Sequence, residues 1–283
     1  MTEITDREFK VFQDMTLKLL GIKLQEHKRT LVISRLSARL RDLKLESFSD
    51  YINYLEKSDN AGAELDKFIN KITTNETYFF RETQHFDFLA NKAFPSIEEK
   101  IKSGKKNSLR IWSSACSSGE EPYSIAISAL EYFKGMRGVD IKILASDINT
   151  DVLKKAQTGQ YRREDILKKV PKSLSDKYFQ TPSEGIMQVK DEVRRLVTFK
   201  RINLLDSRYP LKNRLDIIFC RNVMIYFDES TKKHIMEMFH QNLEDSGFLV
   251  IGHSENLFAY TNLFAPMKNT VYSKVLGSRG EQK

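Results

Sequence analysis

The rhythm of apolar positions changes once along the chain. From Thr5 to about Gln84 these positions recur at helical spacing, in EFKVFQDMTLKLLGI, HKRTLVISRLSARLRDLKL, SFSDYINYLEK and AELDKFINKI. This pattern predicts an all-α N-terminal domain over residues 1–84. FPSIEEKIKSGKKNS, polar and lysine-rich, predicts an approach helix and loop in a linker at 85–108. Beyond it, LRIWSSA, IKILASD, LDIIFCRN and FLVIGHSE read as buried strands. Between them lie the helical patterns YSIAISALEYF, DVLKKAQTG closed by Gly159, and TKKHIMEMFHQNLEDSG ending at Gly247. Alternation of this kind predicts a doubly wound, mostly parallel sheet over 109–283, with its ligand beyond the carboxyl ends of the strands. The last run, NTVYSKV, follows no obvious helix and predicts an antiparallel strand. YFQTPSEGIMQVKDEVRRLVTFK holds two alternating runs, IMQV and RRLVTF, and predicts a small antiparallel β subdomain at about 178–199.

Within the second helix, Val32, Leu36, Leu40 and Leu43 share a stripe, with Lys28, Arg35 and Arg39 aligned beside it. Such a ridge reads equally well as a solvated face or as a docking surface for an acidic partner.

With 40% hydrophobic and 30% charged residues among 283, the chain can bury a core, which excludes disorder. No apolar run approaches the roughly 20 residues a membrane helix needs. Glu3, Asp6 and Glu8 near the start are unlike a signal peptide, so a cytoplasmic protein without membrane insertion is expected. A net charge of +8 favours an acidic partner without saying which. Cys116 and Cys220 are too few for a disulfide framework and read as inert structural thiols. The histidines (His27, His85, His234, His240, His253) show no metal-ligand spacing, and no metal is expected.

The strongest local signal is WSSACSSGEEPYS, where a strand ends in Ala115, Ser117, Ser118 and Gly119 just before a helix. Small residues let a ligand approach the backbone, and the helix start offers free N–H groups. Glu120 and Glu121 would repel a pyrophosphate and attract a cationic, methionine-like ligand, although acids are also favourable at a helix start beside Pro122. Asp147, ending the second strand, stands where an acid accepts hydrogen bonds from ribose hydroxyls; Asn149, Thr150 and Asp151 are nearer caps for the next helix. Asn203 and Leu204, read as following the third strand, stand where an adenine is held, by amide or backbone and by packing.

Taken together, ITTNETYFFRE (72–82), IWSSACSSGEEPYSIA (111–126), ILASDINTDVLKKA (143–156), RINLLD (201–206), FCRNVMIYFD (219–228) and GHSEN (252–256) resemble, in order, the CheR family of chemotaxis receptor methyltransferases. That resemblance implies a Rossmann-like, S-adenosylmethionine-binding domain with a β subdomain, preceded by a helical domain. The implied activity is methylation of glutamates on bacterial chemoreceptors, with S-adenosylhomocysteine as product. By motif, Asn75, Thr77 and Arg81 would close over the cofactor. Ala115, Gly119, Glu120 and Glu121 would form its loop, Asp147 would hold the ribose, Asn203 and Leu204 the adenine, and Arg221 and Asn222 would be strand-end contacts. Arg81 and Tyr226 would be catalytic, and Lys28, Arg35 and Arg39 would meet the receptor's acidic cytoplasmic helices. Some members bind a receptor C-terminal peptide at the β subdomain; here the loop at Pro182–Gly185 is short and the point stays open. The rival reading is an RNA or other nucleic-acid methyltransferase, but no basic, aromatic tract suggests a base-stacking platform. A binding module without transfer activity is a third class; the cofactor positions, all filled by the expected residue types, speak against it.

Overall fold

The computed structural model describes residues 3–57, 61–136, 138–257 and 261–276. Its N-terminal part comprises α1 (Asp6–Leu20), α2 (Arg29–Leu43), α3 (Phe48–Lys57) and α4 (Ala61–Ile72). Thr5 and Glu8 form a capping box that starts α1, and Gly21, with φ 68°, lets the chain turn out of it. The core centres on Phe12, which is fully buried, packs edge-on to Phe48 at 6.2 Å and stacks on Phe68 at 5.8 Å.

The basic residues of α2 do not form one docking surface. Arg39 is buried, and its guanidinium grips Glu64 twice, Nε to Oε1 at 2.9 Å and Nη2 to Oε2 at 2.8 Å. Tyr51 adds a hydroxyl bond to Oε1 of the same carboxylate at 3.0 Å. The docking expectation for Arg39 is therefore corrected: α4 brings a buried acid against this side of α2, and an unpaired charge there would be costly. Arg35 is also engaged, its Nη1 donating to the carbonyls of Ile72 at 2.7 Å and Thr73 at 3.0 Å and so closing the end of α4. Lys28 alone of the three is exposed.

Next come α5 (Gln84–Phe88), a π-helical turn and α6 (Phe94–Lys102). This stretch is not a linker. Phe86, Leu89, Phe94 and Ile97 are buried in the core of the C-terminal domain.

That domain runs β1 (Ser108–Ser114), α7 (Glu120–Tyr132), β2 (Asp140–Asp147), α8 (Thr150–Thr158), β3 (Gln160–Arg162), α9 (Arg163–Lys169) and α10 (Lys172–Tyr178). It continues with β4 (Phe179–Ser183), β5 (Ile186–Val189), α11 (Asp191–Arg194), β6 (Val197–Arg201), β7 (Leu215–Cys220), α12 (Glu229–Asn242), β8 (Leu243–Ile251), β9 (Phe264–Pro266) and β10 (Val271–Lys274). The main sheet has the order β6-β2-β1-β7-β8-β10-β9. Its first five strands are parallel, and β10 and β9 add antiparallel. β7, buried at every position, sits near the middle.

Two boundaries differ from expectation. RRLVTF contributes β6 to the edge of the main sheet, in register with β2 from Ile143↔Val197 to Asp147↔Arg201. The small sheet instead has the order β3-β5-β4 and reaches back to Gln160. An alternating run fits either sheet, and only the path of the chain decides. Likewise α12 stops at Asn242 rather than Gly247, because the buried Leu243 pairs with Leu215 and begins β8. No helix among the described residues is long and apolar enough to cross a membrane.

The Arg39 assignment yields a stability test. Arg39→Met strands the Glu64 carboxylate in the helical core and is expected to lower the unfolding free energy by about 3–5 kcal/mol in urea titration. A docking role alone would leave that value unchanged.

Candidate functional site

The carboxyl ends of β1, β2, β6 and β7 open onto a cavity of about 370 Å³, roofed by the N-terminal helices. Its wall includes Asn75, Thr77, Arg81, Ala115, Glu121, Asp147, Asn203, Leu204, Arg221, Asn222 and Tyr226. Segments distant in sequence thus meet at the place where a doubly wound sheet holds its ligand.

The backbone in and beside the cavity wall is unusual. Ala115, Ser117 and Asn222 in the wall, and Phe80 and Glu82 on either side of Arg81, all have positive φ, between 51° and 59°. Such conformations persist only where surrounding contacts enforce them. Asp147 enforces one set: its Oδ2 accepts from the Ser117 N–H at 2.8 Å and its Oδ1 from Asn149 N–H at 2.9 Å. Burial pushes its pKa up, and these backbone donors work in the opposite direction. Asn149, not Asp147, caps α8, accepting from Asp151 and Val152. Asp147 therefore retains acceptor capacity towards the cavity.

Glu121, in the first turn of α7, accepts from Ser113 Oγ at 2.7 Å and pairs with Arg221 Nη1 at 2.9 Å. Arg221, with its side chain only 1% exposed, also meets Glu82 Oε2 at 3.0 Å. One buried cation is shared by two acids, which leaves the group one net negative charge beside the cavity. Asn222 donates to the other Glu82 oxygen at 3.2 Å. Glu255 carried no assigned role in the sequence reading. Its carboxylate accepts from the N–H groups of Asn222 at 2.9 Å, Met224 at 2.7 Å and Gly252 at 2.6 Å, fixing the turn after β7. Its sequence signal was its place in GHSEN, one of the blocks that carry the family resemblance.

Gly119 and Glu120 lie outside the cavity wall. A Cβ at Gly119, whose φ is +97°, would come within 2.8 Å of Ala156 Cβ and 2.9 Å of the Tyr161 hydroxyl. The glycine is required for packing against α8 and β3, not for ligand approach. Glu120 accepts from Ser118 Oγ at 2.7 Å on that same side, and burial raises its pKa. Glu121 is thus the acid that faces the cavity. The Asn203 side chain is already engaged, donating to Leu19 O at 2.9 Å and accepting from Leu205 N–H at 3.1 Å. One amide N–H and one oxygen lone pair remain to read a ring edge, while its backbone carbonyl already accepts from Asp206 N–H at 3.1 Å. Cys116 and Cys220 are buried, and burial pushes both thiols up.

Arg81 donates to Glu76 O at 2.9 Å and lies over the Tyr78 ring at 5.7 Å, half-exposed. Tyr226 stands on the 3₁₀ turn after β7, where its carbonyl accepts from Lys23 N–H at 3.0 Å. Ile22 bridges Phe227 beside it. Lys28 and Arg35 line the side of the cavity that the helical domain supplies.

The all-alpha domain of CheR methyltransferases matches residues 7–73, and the SAM-binding domain of CheR methyltransferases matches residues 75–273. The chain belongs to the CheR methyltransferase family. It is 45% identical over 244 residues to the chemotaxis protein methyltransferase of Borreliella burgdorferi, covering 86% of each chain. Identity to the Escherichia coli protein of that name is 41%, over 96% of this chain and 93% of the relative. Chemotaxis protein methyltransferase 2 of Pseudomonas aeruginosa is 42% identical, over 95% and 93%. This chain is accordingly an S-adenosylmethionine-dependent methyltransferase. The lining suits that ligand: the carboxylates of Glu121 and Asp147 lie in the cavity wall, with Ala115 and Ser117 just after β1.

If Asp147 and Glu121 meet the cofactor as placed, Asp147→Ala is expected to weaken S-adenosylhomocysteine binding by about 10- to 100-fold, as for loss of a charge-assisted hydrogen bond. Glu120→Gln, outside the cavity wall and bonded to Ser118 Oγ, is expected to leave affinity within about threefold, since Gln keeps the size and an acceptor for that bond. Isothermal titration calorimetry reads both.

Proposed function

We propose that this chain methylates glutamate side chains in the cytoplasmic helical region of bacterial chemoreceptors, with Arg81 and Tyr226 at the reacting centre. The observation that supports this most directly is their meeting in one cavity wall with Asp147 and Glu121, although they come from segments about 145 residues apart in the chain, as their numbers give (226 − 81).

The acceptor's acidity sets what the residues must do. A glutamate side chain has an ordinary pKa of about 4.3, so it enters already ionised and nucleophilic, and no base is needed. S-adenosylmethionine, when bound, supplies an electrophilic methyl group. The chain's own residues then hold and orient the carboxylate. Arg81 contributes a charge-assisted bond and Tyr226 a hydroxyl donor. Fixing the acceptor oxygen in line is worth on the order of 7–11 kcal/mol when reactants are well positioned. Too close an ion pair with Arg81 would blunt the nucleophile, which makes orientation the larger effect. Arg81 is only half-exposed and already donates to Glu76 O, which favours a restrained guanidinium.

Lys23, His27 and Lys28 are exposed on the helical-domain side of the cavity, together with Ile225 at 53% exposure. We assign receptor approach to this cationic side with its apolar contact, replacing the α2 ridge. A cytoplasmic location follows from the acceptor. A receptor C-terminal peptide would pair with β3 or β4, the edges of the small sheet. Pro182 removes a donor from β4, whose register with β5 shifts between Gln180 and Ser183, and this argues against pairing along its full length.

Incubation with labelled S-adenosylmethionine and a receptor cytoplasmic fragment is expected to give label released by mild alkali, as a carboxyl ester requires. Alkali-stable label, or transfer abolished by competing RNA, would overturn the assignment. Arg81→Lys and Tyr226→Phe are each expected to lower kcat/KM by roughly 10- to 100-fold with S-adenosylhomocysteine affinity changed much less. Near-normal transfer in both would remove them from the reacting centre.

A further inference from the structure

A second cleft adjoins the cofactor cavity. Residues 77–79, α8, β3 and α9 supply most of its wall, and Thr77 lines both spaces. Four cations line it, Lys155, Arg162, Lys168 and Lys169, against two acids, Glu120 and Asp165. Asp165 already holds Arg162, Oδ2 to Nε at 2.8 Å. Glu120 is buried and accepts from Ser118 Oγ. Lys155 acts on Glu120 only at longer range, and among the described residues no carboxylate pairs with Lys168 or Lys169. Three exposed ammonium groups round one recess repel one another, which an acidic occupant would relieve. Helix dipoles give each lysine a local reason, since Lys155 is in the last turn of α8 and Lys168 and Lys169 are in that of α9. The dipoles do not explain why both helix ends open onto one recess beside the cavity.

Tyr78 links this recess to the reacting centre. The Lys169 ammonium lies 4.3 Å from the centre of its ring and the Arg81 guanidinium 5.7 Å, so the two cations are at most about 10 Å apart, the two distances laid end to end. A helix rises about 1.5 Å per residue, and positions four and seven apart share a face. Side chains at those separations stand about 6 and 10.5 Å apart along the axis. One helix can therefore present a glutamate to Arg81 and a second acid to the lysines.

We propose that Lys155, Lys168 and Lys169 bind a second acidic side chain of the acceptor helix, four or seven residues from the glutamate that is methylated. This rests on the assignment of receptor glutamates as acceptors and extends it, because the enzyme then reads a pair of acids rather than one. Holding the second acid fixes the direction of the helix axis as well as the acceptor oxygen. It also selects the acidic face of a helix over an isolated carboxylate. Since the lysines are exposed, the contribution falls on encounter and KM and is screened by salt.

Kinetics on a receptor cytoplasmic fragment at low ionic strength test this. Lys155→Glu combined with Lys168→Glu leaves the Lys169 and Arg81 contacts with Tyr78 in place. That variant is expected to raise KM for the fragment roughly tenfold, with kcat changed less than about twofold and Tm unaltered. Gln in place of the fragment's acids four and seven residues from the target is expected to raise KM similarly and to abolish the effect of the lysine reversals. Lys at those positions is expected to restore binding by the doubly reversed variant. Lys105→Glu, just before β1 at the far end of the sheet, is the charge-matched control and is expected to leave KM unchanged. If no carboxyl ester forms at all, the acceptor assignment fails, and fluorescence anisotropy of the labelled fragment still reads the cleft: about tenfold weaker binding to the doubly reversed variant supports it. An unchanged KM or Kd in that variant, no binding to the unmodified chain, a loss that persists after the fragment's acids are removed, or release of the fragment by inorganic phosphate at matched ionic strength would overturn the proposal.

Discussion

The arrangement around the cavity depends on one buried guanidinium placed between two carboxylates. Arg221 directly follows β7 and reaches Glu121 at the start of α7 and Glu82 in the segment after the helical domain. A charge so thoroughly withdrawn from water is tolerable only while both partners stay in place. That requirement holds three otherwise independent pieces of chain in register. It also accounts for the strained backbone, since Glu82 and Asn222, both at positive φ, flank the pair and are bonded to each other. The cofactor loop is thus shaped by an ion pair before any ligand arrives.

A second set of contacts brings the helical domain over the site. Asn149 donates to Asn70 O at 3.0 Å and Thr73 Oγ1 at 2.8 Å, Asn203 reaches Leu19 O, and Lys23 N–H reaches the Tyr226 carbonyl. These bonds come from side chains and turns on both domains, and Arg35 directs the exit of α4 towards them. The cavity is in this sense a product of the joint between domains. Residues that looked like ligand contacts or surface charges, Asn203 and Arg35 among them, serve the joint first.

Periodicity alone made the helical domain, the order of the main strands and the small-residue end of β1 legible, because each depends on local burial patterns that repeat over several residues. Asp147 could be singled out because nearer caps were available for the next helix, whereas Glu120 and Glu121 stayed paired, since an acid at a helix start also has a local use. The β subdomain was harder to delimit. RRLVTF and IMQV carry the same two-residue alternation, and their separation into two sheets follows from a chain path that no local pattern records. The end of α12 was misplaced for a related reason, since the partner that draws Leu243 into a strand lies at Leu215.

What the sequence determined by itself is the fold class, the identity of the motifs and the expectation of a cationic ligand. These follow from residue type and spacing. Only the tertiary structure decided that Arg39 is an interior ion, that Gly119 and Glu120 face α8 and β3, that Arg221 is shared by two acids, and that Lys169 and Arg81 meet the same Tyr78 ring. Each of these turns on which distant group occupies the other side of a contact, and the energy of a buried charge is set by that partner rather than by its neighbours in the chain.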